Sequence, residues 1–146
     1  MHKVVPEIEE KITIPILHIA DTTAQKLLEQ GVKKVGLLGT AFTMEQDFYK
    51  GRLTNKFGID VVIPDESDRQ KVHNIIYQEL CRGEVKKESR DVYRQIIEKL
   101  SQQGAEAVIL GCTEIALLIQ QQHTDVPLFD TTAIHAETAV RLATSD

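Results

Sequence analysis

Short apolar runs rich in β-branched residues alternate with longer stretches of helical spacing along the whole chain. Such alternation predicts strand–helix–strand crossovers and therefore a mostly parallel sheet covered by helices. The runs are continuously apolar, as expected of parallel strands that are buried on both faces. Strands are predicted at residues 14–19, 34–38, 59–63, 107–110 and 126–129.

Helices are predicted between these strands wherever apolar residues recur at intervals of three and four positions. The spacing is clear in the stretch that contains Val92, Ile96 and Leu100, and Gly104 follows it as a stop signal. Helices are predicted at residues 22–30, 43–57, 67–81, 89–103, 113–121 and 133–143.

The composition of the 146 residues is that of a globular chain, with 42% apolar and 27% charged residues. The net charge is −5 and no basic cluster is interleaved with aromatic residues, which argues against a nucleic-acid partner. No signal peptide is recognised and no apolar run is long enough to cross a membrane. The two cysteines, Cys81 and Cys112, give neither a disulfide framework nor a metal-ligand spacing, so we expect a reducing cytoplasm and no metal.

Cys112 is the strongest candidate for a chemical role. The apolar run 107–110 ends at Gly111, and Cys112 then lies where a helix is predicted to begin. The helix dipole and unpaired backbone N–H groups lower the pKa of a thiol at such a position from about 8.5 toward neutrality. Two interpretations stay open: an activated thiolate, and a small buried hydrophobic residue. Cys81 continues an apolar helix face and is predicted to pack there.

Two segments of the chain, residues 15–24 and 127–133, resemble each other, and we call this similarity the internal echo. Each segment begins with a proline and ends in Asp-Thr-Thr-Ala, where a helix is predicted to begin. Asp21 and Asp130 are interpreted as caps or loop braces, and chance can supply such a match because Asp and Thr are common at N-caps. As a remnant of duplication, the echo places a counterpart of Cys112 at or just before Met1 and predicts a truncated chain.

Several stretches, in order, resemble the aspartate/glutamate racemase family. They are the Gly-Cys-Thr-Glu-Ile run at 111–115, the run at 35–40 with Thr43-Met44, and the segments at 44–49, 79–80 and 130–136. Glu114 favours the aspartate or aspartate/glutamate branch, since the glutamate racemases of cell-wall synthesis usually have His at this position. The resemblance implies two similar α/β lobes and chemistry without a cofactor. We also expect a homodimer.

By resemblance, this chain holds one complete lobe and part of another. Residues 33–122 correspond to a complete second α/β lobe, with a parallel four-stranded sheet flanked by helices, that carries Cys112. Residues 1–32 and 123–146 correspond to a remnant of the first lobe. Met1-His2-Lys3 resembles the tail of the family's Asn-Thr-Met-His segment. Most members carry a catalytic cysteine just ahead of that segment, and some carry threonine, so the second catalytic group is expected to be missing from this chain.

The resemblance implies racemisation of aspartate or glutamate, in which the Cα proton leaves from one face and another arrives on the opposite face. Cys112 is implied as the acid/base group on one face. Thr113, Thr40 and Thr43 are candidates to bind the substrate's carboxylates or to cap helices, with Thr43 expected to be the N-cap of its helix. Glu114 is a candidate to orient its polar neighbours or to raise the pKa of Cys112.

Three further side chains have a structural interpretation beside a functional one. Arg82 matches a position where some members carry a basic residue that faces the substrate, and it also fits a solvated arginine at a helix end. His18 and His135 lie beside the echoed segments and are predicted to be neutral, hydrogen-bonded structural residues.

Two other functions stay open. A one-cysteine decarboxylase of the same superfamily reprotonates a planar intermediate with a single thiol, and it would release carbon dioxide from an arylmalonate. A non-catalytic lobe would bind dicarboxylates and dimerise, and it would exchange no Cα proton.

Overall fold

Four parallel strands form one sheet. The structure, a computed structural model, describes residues 4–145. The strand order is β2-β1-β3-β4, and each neighbouring pair is parallel. The strands are β1 (Lys34–Leu38), β2 (Asp60–Val62), β3 (Ala107–Leu110) and β4 (Leu128–Asp130). The predicted α/β class with a parallel four-stranded sheet is confirmed.

Helices cover both faces of this sheet. They are α1 (Val5–Glu9), α2 (Ile19–Glu29), α3 (Ala41–Glu45), α4 (Asp47–Phe57), α5 (Glu66–Gln78), α6 (Lys87–Gln102), α7 (Ile115–Leu118) and α8 (Thr131–Thr144), with short 3₁₀ helices at Leu80–Arg82 and Gln121–His123. Within residues 4–145, no helix combines the length and the apolar composition that a membrane span requires.

The core consists of two apolar clusters separated by the sheet. Because successive strand residues point to opposite faces, alternate residues of β1 and β3 enter different clusters. Val35 and Leu37 pack with buried residues of α2 and α4, whereas Leu38 packs with those of α5, α6 and α7. Continuous burial of β1 and β3 therefore comes from helices on both sides, as their unbroken apolar sequence predicts.

Residues 14–19 do not form the predicted strand, so this prediction is wrong. Ile14 is 72% exposed, and α2 already begins at Ile19. His18 is the N-cap of α2, where its Nδ1 accepts a hydrogen bond from the Ala20 N–H at 3.1 Å. His135 of α8 lies with Nε2 3.0 Å from the Leu17 carbonyl oxygen. These contacts to the backbone, in place of strand pairing, hold the segment, and both histidines have the hydrogen-bonded structural role predicted for them.

Three predicted helices are divided, end in a 3₁₀ turn or are much shorter in the structure, whereas the other three begin and end within three residues of their predicted bounds. The helix predicted at 43–57 is divided into α3 and α4, because Gln46 adopts an extended conformation with ψ 147°. The helix predicted at 67–81 ends at Gln78 and continues as a 3₁₀ turn. The helix predicted at 113–121 is only the four-residue α7, since residues 111–114 form a bend and turn after β3.

The last strand belongs to the same sheet as the strands of the predicted second lobe. β4 pairs with β3 in the register Val108↔Leu128, Ile109↔Phe129 and Leu110↔Asp130. α8 then packs against α2. The assignment of residues 1–32 and 123–146 to a first lobe stays a prediction.

Asp21 links α2 to α4 through an ionic cluster. The Arg52 guanidinium donates to both carboxylate oxygens, with Nη2 2.9 Å from Oδ2, and the Lys56 ammonium lies 2.5 Å from Oδ2. Burial raises the pKa of Asp21, but the hydrogen bonds and charges of Arg52 and Lys56 outweigh it and lower that pKa to about 2. The ionised carboxylate therefore stabilises the fold at neutral pH.

Replacing Asp21 with asparagine is expected to lower the free energy of unfolding at neutral pH by about 1–2 kcal/mol, less than the full pKa shift implies because the site is partly solvated. The folded-state pKa is depressed, so the contribution is complete above the ordinary carboxyl pKa near 4 and disappears as the pH falls through about 2. Urea unfolding of the wild type and Asp21→Asn at a series of pH values measures this. Asp47→Asn is the control, since its side chain is 89% exposed. An equal loss in both variants would contradict the assignment.

Candidate active site

The carboxyl ends of β1 and β3 lie side by side, and the glycine after each strand permits their close approach. The Gly111 N–H donates to the Leu38 carbonyl oxygen at 2.7 Å. A Cβ at Gly39 would lie 3.1 Å from Thr43 Cγ2, and one at Gly111 would lie 3.5 Å from the same methyl group. Thr43 of α3 therefore packs against both strand ends, which brings the Thr40–Thr43 segment next to the loop that carries Cys112.

Cys112, Thr113 and Glu114 form a small hydrogen-bonded group in the turn between β3 and α7. The Cys112 thiol donates to Glu114 Oε2 at 2.9 Å, and the Thr113 hydroxyl donates to the same oxygen at 2.7 Å. These two hydrogen bonds lower the pKa of Glu114. The turn therefore holds a thiol and a hydroxyl that both contact one ionised carboxylate.

The pKa of Cys112 is raised to about 12, above all by burial and then by the hydrogen bond to the Glu114 carboxylate. The backbone N–H of Glu114 acts in the opposite direction, but it does not compensate for these two effects. The expectation of a thiol pKa near neutrality is therefore wrong. Its physical basis fails because α7 has only four residues and begins at Ile115, so a long helix dipole does not act on the sulfur. The proposal that Glu114 raises the pKa of Cys112 is confirmed in direction.

Thr40, and not Thr43, is the N-cap of α3. Thr40 Oγ1 accepts a hydrogen bond from the Thr43 N–H at 3.3 Å and lies 3.2 Å from Thr43 Oγ1. The prediction that Thr43 caps the helix is wrong because the chain enters α3 two residues earlier, at Ala41. Both threonines nevertheless lie together beside the end of β1, and their role in binding a substrate carboxylate stays a prediction.

Arg82 and Cys81 lie on the exposed 3₁₀ turn after α5. The Arg82 side chain is 69% exposed and its Nη2 lies 3.7 Å from Glu84 Oε1. This is the solvated arginine at a helix end that the sequence allows, and a role toward a substrate stays a prediction. Cys81 is exposed, so the expectation that it packs is wrong: the α-helical spacing stops at Gln78 and the 3₁₀ turn directs the next residues differently.

Two residues near the site were not selected from the sequence. Tyr93 of α6 is fully buried, and this burial is the main cause that raises its pKa. Its position on the apolar face of α6 made it indistinguishable from an ordinary core residue. His73 of α5 accepts a hydrogen bond at Nδ1 from the Ala41 N–H at 3.2 Å. No sequence signal connects α5 to the start of α3, because the two residues are 32 positions apart.

The predicted segment Met1-His2-Lys3 lies outside the residues that the structure describes. Within residues 4–145, no group of three His, Cys, Asp or Glu side chains is arranged to hold a metal ion.

The sequence model of the Asp/Glu/hydantoin racemase family matches residues 1–139 of this chain. The chain belongs to that family. A broad-specificity amino-acid racemase of Bacillus subtilis is 24% identical over 139 residues, which are 95% of this chain and 59% of that protein. The resemblance of the Gly-Cys-Thr-Glu-Ile run and its companion segments to racemases is thus confirmed at the level of the family.

Solved structures of the racemase family contain the fold of this chain over nearly its whole length. A Yersinia pestis protein related to Asp/Glu racemases has a TM-score of 0.95 and 54% identity, covering 99% of this chain and 63% of its own. An aspartate racemase homologue from Pyrococcus horikoshii has a TM-score of 0.90 and 36% identity, with the same two coverages of 99% and 63%. The chain therefore spans less than two thirds of the length of these relatives.

A methyl group added at Gly111 is expected to disturb the end of β3, just before Cys112. A Cβ there would lie 2.9 Å from the Leu38 carbonyl oxygen and 3.2 Å from Leu37 Cδ1, and a backbone atom of a buried strand cannot move away cheaply. We expect Gly111→Ala to lower the free energy of unfolding by about 1–3 kcal/mol. Gly51→Ala is the matched control in α4, because a Cβ at Gly51 would have its nearest neighbour, Asp47 Cβ, at 3.4 Å. There, alanine is expected to be neutral or stabilising. Chemical unfolding of both variants measures the difference, and equal stabilities would contradict it.

Proposed function

We propose that this chain binds an acidic amino acid, aspartate or glutamate, and acts on its Cα proton, with Cys112 as the acid/base group on one face of the substrate. One observation carries the proposal: the Cys112 thiol, in the turn after β3, donates to a carboxylate, and Gly111, the residue before it, lies against Thr43 of the threonine pair at the end of β1. This edge of a parallel sheet is where ligands of α/β folds bind. Membership of the racemase family supports the reaction type.

Substrate binding is proposed to use the hydroxyl groups that border Cys112. Thr113 is exposed, and Thr40 and Thr43 are half-buried at the neighbouring strand end. Hydroxyl donors at two neighbouring strand ends suit a dicarboxylate, which presents an acceptor group at each end. Glu114 is the anion of this group and suits the α-ammonium of an amino acid, since a carboxylate and an ammonium form a charge-assisted hydrogen bond.

The proton chemistry that we propose starts from a protonated thiol. With a pKa of about 12, Cys112 carries its proton at neutral pH and is ready to deliver it to a planar carbanion. To remove a proton from Cα, the sulfur must first lose its own. A substrate ammonium that draws Glu114 away from Sγ favours the thiolate, both by removing the acceptor carboxylate and by adding a nearby positive charge. Glu114 would thereby couple substrate binding to activation of the thiol.

The protonated resting thiol also keeps the one-cysteine decarboxylase as a second candidate, because that reaction needs the thiol only as a proton donor. The same site chemistry would then act on a planar intermediate left after loss of carbon dioxide. A dicarboxylate-binding lobe without turnover is the third outcome to be tested.

One set of incubations in heavy water separates these functions. The wild-type chain is mixed with aspartate or glutamate, and loss of the Cα proton is followed by NMR; a parallel sample with an arylmalonate is followed by release of carbon dioxide. Exchange at Cα of an acidic amino acid supports the proposal. Carbon dioxide release without exchange would replace it with the decarboxylase. Binding without either reaction would leave the non-catalytic lobe.

A further inference from the structure

We infer that His73 is a positioning residue for the substrate site, which fixes the Thr40–Thr43 segment by accepting a hydrogen bond from the Ala41 backbone. The inference rests on the proposed function for its effect on ligand binding. The Ala41 N–H donates to His73 Nδ1 at 3.2 Å. Ala41 is the first residue of α3, directly after Thr40, so this contact acts on the segment that carries the threonine pair.

α5 holds α3 at both of its ends. At the start of α3, His73 accepts from Ala41; at its end, Glu45 Oε1 lies 3.2 Å from Arg69 Nε. A helix of five residues has little stability of its own, because nucleation is costly and few internal hydrogen bonds repay it. The place of α3 therefore depends on contacts from outside, and α5 supplies two of them.

The contact also sets the tautomer of His73, because Nδ1 can accept a hydrogen bond only when the ring hydrogen is on Nε2. The ring is further held by Tyr77, whose ring centroid lies 4.8 Å away at an interplanar angle of 48°. A fixed ring in a fixed tautomer gives the Ala41 N–H a defined partner.

The consequence for the site follows from Thr43. Its side chain packs against Gly39 and Gly111, the glycines that precede Thr40 and Cys112. A shift of α3 would change the distance between the threonine hydroxyls and the thiol. His73 thus acts on the substrate through the position of α3.

Three substitutions test the inference. His73→Ala removes the acceptor, and His73→Asn places an amide oxygen near the former Nδ1. Asn74→Ala is the matched control on the same helix, because Asn74 accepts a hydrogen bond from Gln70 in a solvent-exposed contact. We expect His73→Ala to weaken binding of L-aspartate about fivefold, the value of one hydrogen bond. His73→Asn should restore most of the affinity, and Asn74→Ala should leave it unchanged.

An NMR measurement on the wild type, without a ligand, tests directly whether the hydrogen bond between Ala41 and His73 is present. A ¹⁵N–¹⁵N coupling across the hydrogen bond between Ala41 and His73 Nδ1 is expected; a protonated Nδ1, or no coupling, would overturn the inference. An unchanged affinity in His73→Ala would overturn it too. If the wild type binds neither aspartate nor glutamate, the proposed function fails, and the inference is then tested by the amide chemical shifts of Thr40 and Thr43. Shifts that change in His73→Ala and recover in His73→Asn support the inference. Shifts that do not change in His73→Ala overturn it.

Discussion

Replacing Glu114 with glutamine is expected to make the Cys112 thiol about tenfold more reactive toward iodoacetamide at about pH 8. The Glu114 carboxylate accepts a hydrogen bond from the thiol, with Oε2 2.9 Å from the sulfur, and this bond is, after burial, the second cause of a pKa raised to about 12. Without that negative charge we expect the pKa to fall by roughly two units. The thiolate fraction would rise about a hundredfold, but a less basic thiolate is a weaker nucleophile, so about a tenth of the gain remains.

The measurement is the pH profile of alkylation in a Cys81→Ala background, because Cys81 is exposed and would otherwise react first. The profile of Glu114→Gln should move toward lower pH. Glu98→Gln, which changes an exposed carboxylate on α6, is the control and should leave the profile in place. A profile that stays unchanged, or moves upward, in Glu114→Gln would mean that the carboxylate does not govern the thiol.

Replacing Cys112 with serine is expected to slow exchange of the substrate's Cα proton by at least about a hundredfold, since a general acid/base group contributes about 10² to 10⁴ in rate. The hydroxyl of serine is similar in size to the thiol and can keep the hydrogen bond to Glu114, but it is far too weakly acidic to exchange protons with Cα. The thiol is half-buried among residues of the α5–α6 side of the core, so the substitution should not unfold the chain. Exchange is read by NMR and folding by circular dichroism.

Cys81→Ala is the matched control for this loss. Cys81 is the other cysteine of the sequence and lies exposed on the 3₁₀ turn, outside the hydrogen-bonded group of the site. Its removal should leave the exchange rate within the error of the measurement. Equal rates in Cys112→Ser and the wild type would show that the exchange does not pass through this thiol.

Much of the sheet follows from local sequence. The ranges of β1 and β3 are those predicted, because each is a short apolar run bounded by glycine and buried by helices on both faces. The run at 14–19 is also mostly apolar, although it includes Pro15 and His18, and it does not form a strand. An apolar composition predicts that a segment is buried. A strand also needs a neighbouring strand to pair with, and the tertiary arrangement determines whether one is present.

The residues of the candidate site could be predicted from the sequence, but the pKa of its thiol could not. Cys112, Thr113 and Glu114 are consecutive, so their proximity follows from the chain itself. The thiol pKa depends on where α7 begins and on which side chain meets the sulfur. Helix boundaries are among the least certain features of a sequence, and here a start at Ile115 removes the expected dipole effect. His73 was missed because its link to Ala41 is a long-range contact without a motif.

Deuterium incorporation at Cα, followed separately for L- and D-aspartate in the wild-type chain, tests the central claim most directly. Cys112 is the acid/base group that we propose, and one such group reaches one face of the substrate. We therefore predict that one enantiomer gains deuterium with its configuration retained, while the other keeps its proton. Absence of exchange in both enantiomers would contradict the assignment of Cys112 as an acid/base group, and inversion of both would contradict its action on one face alone.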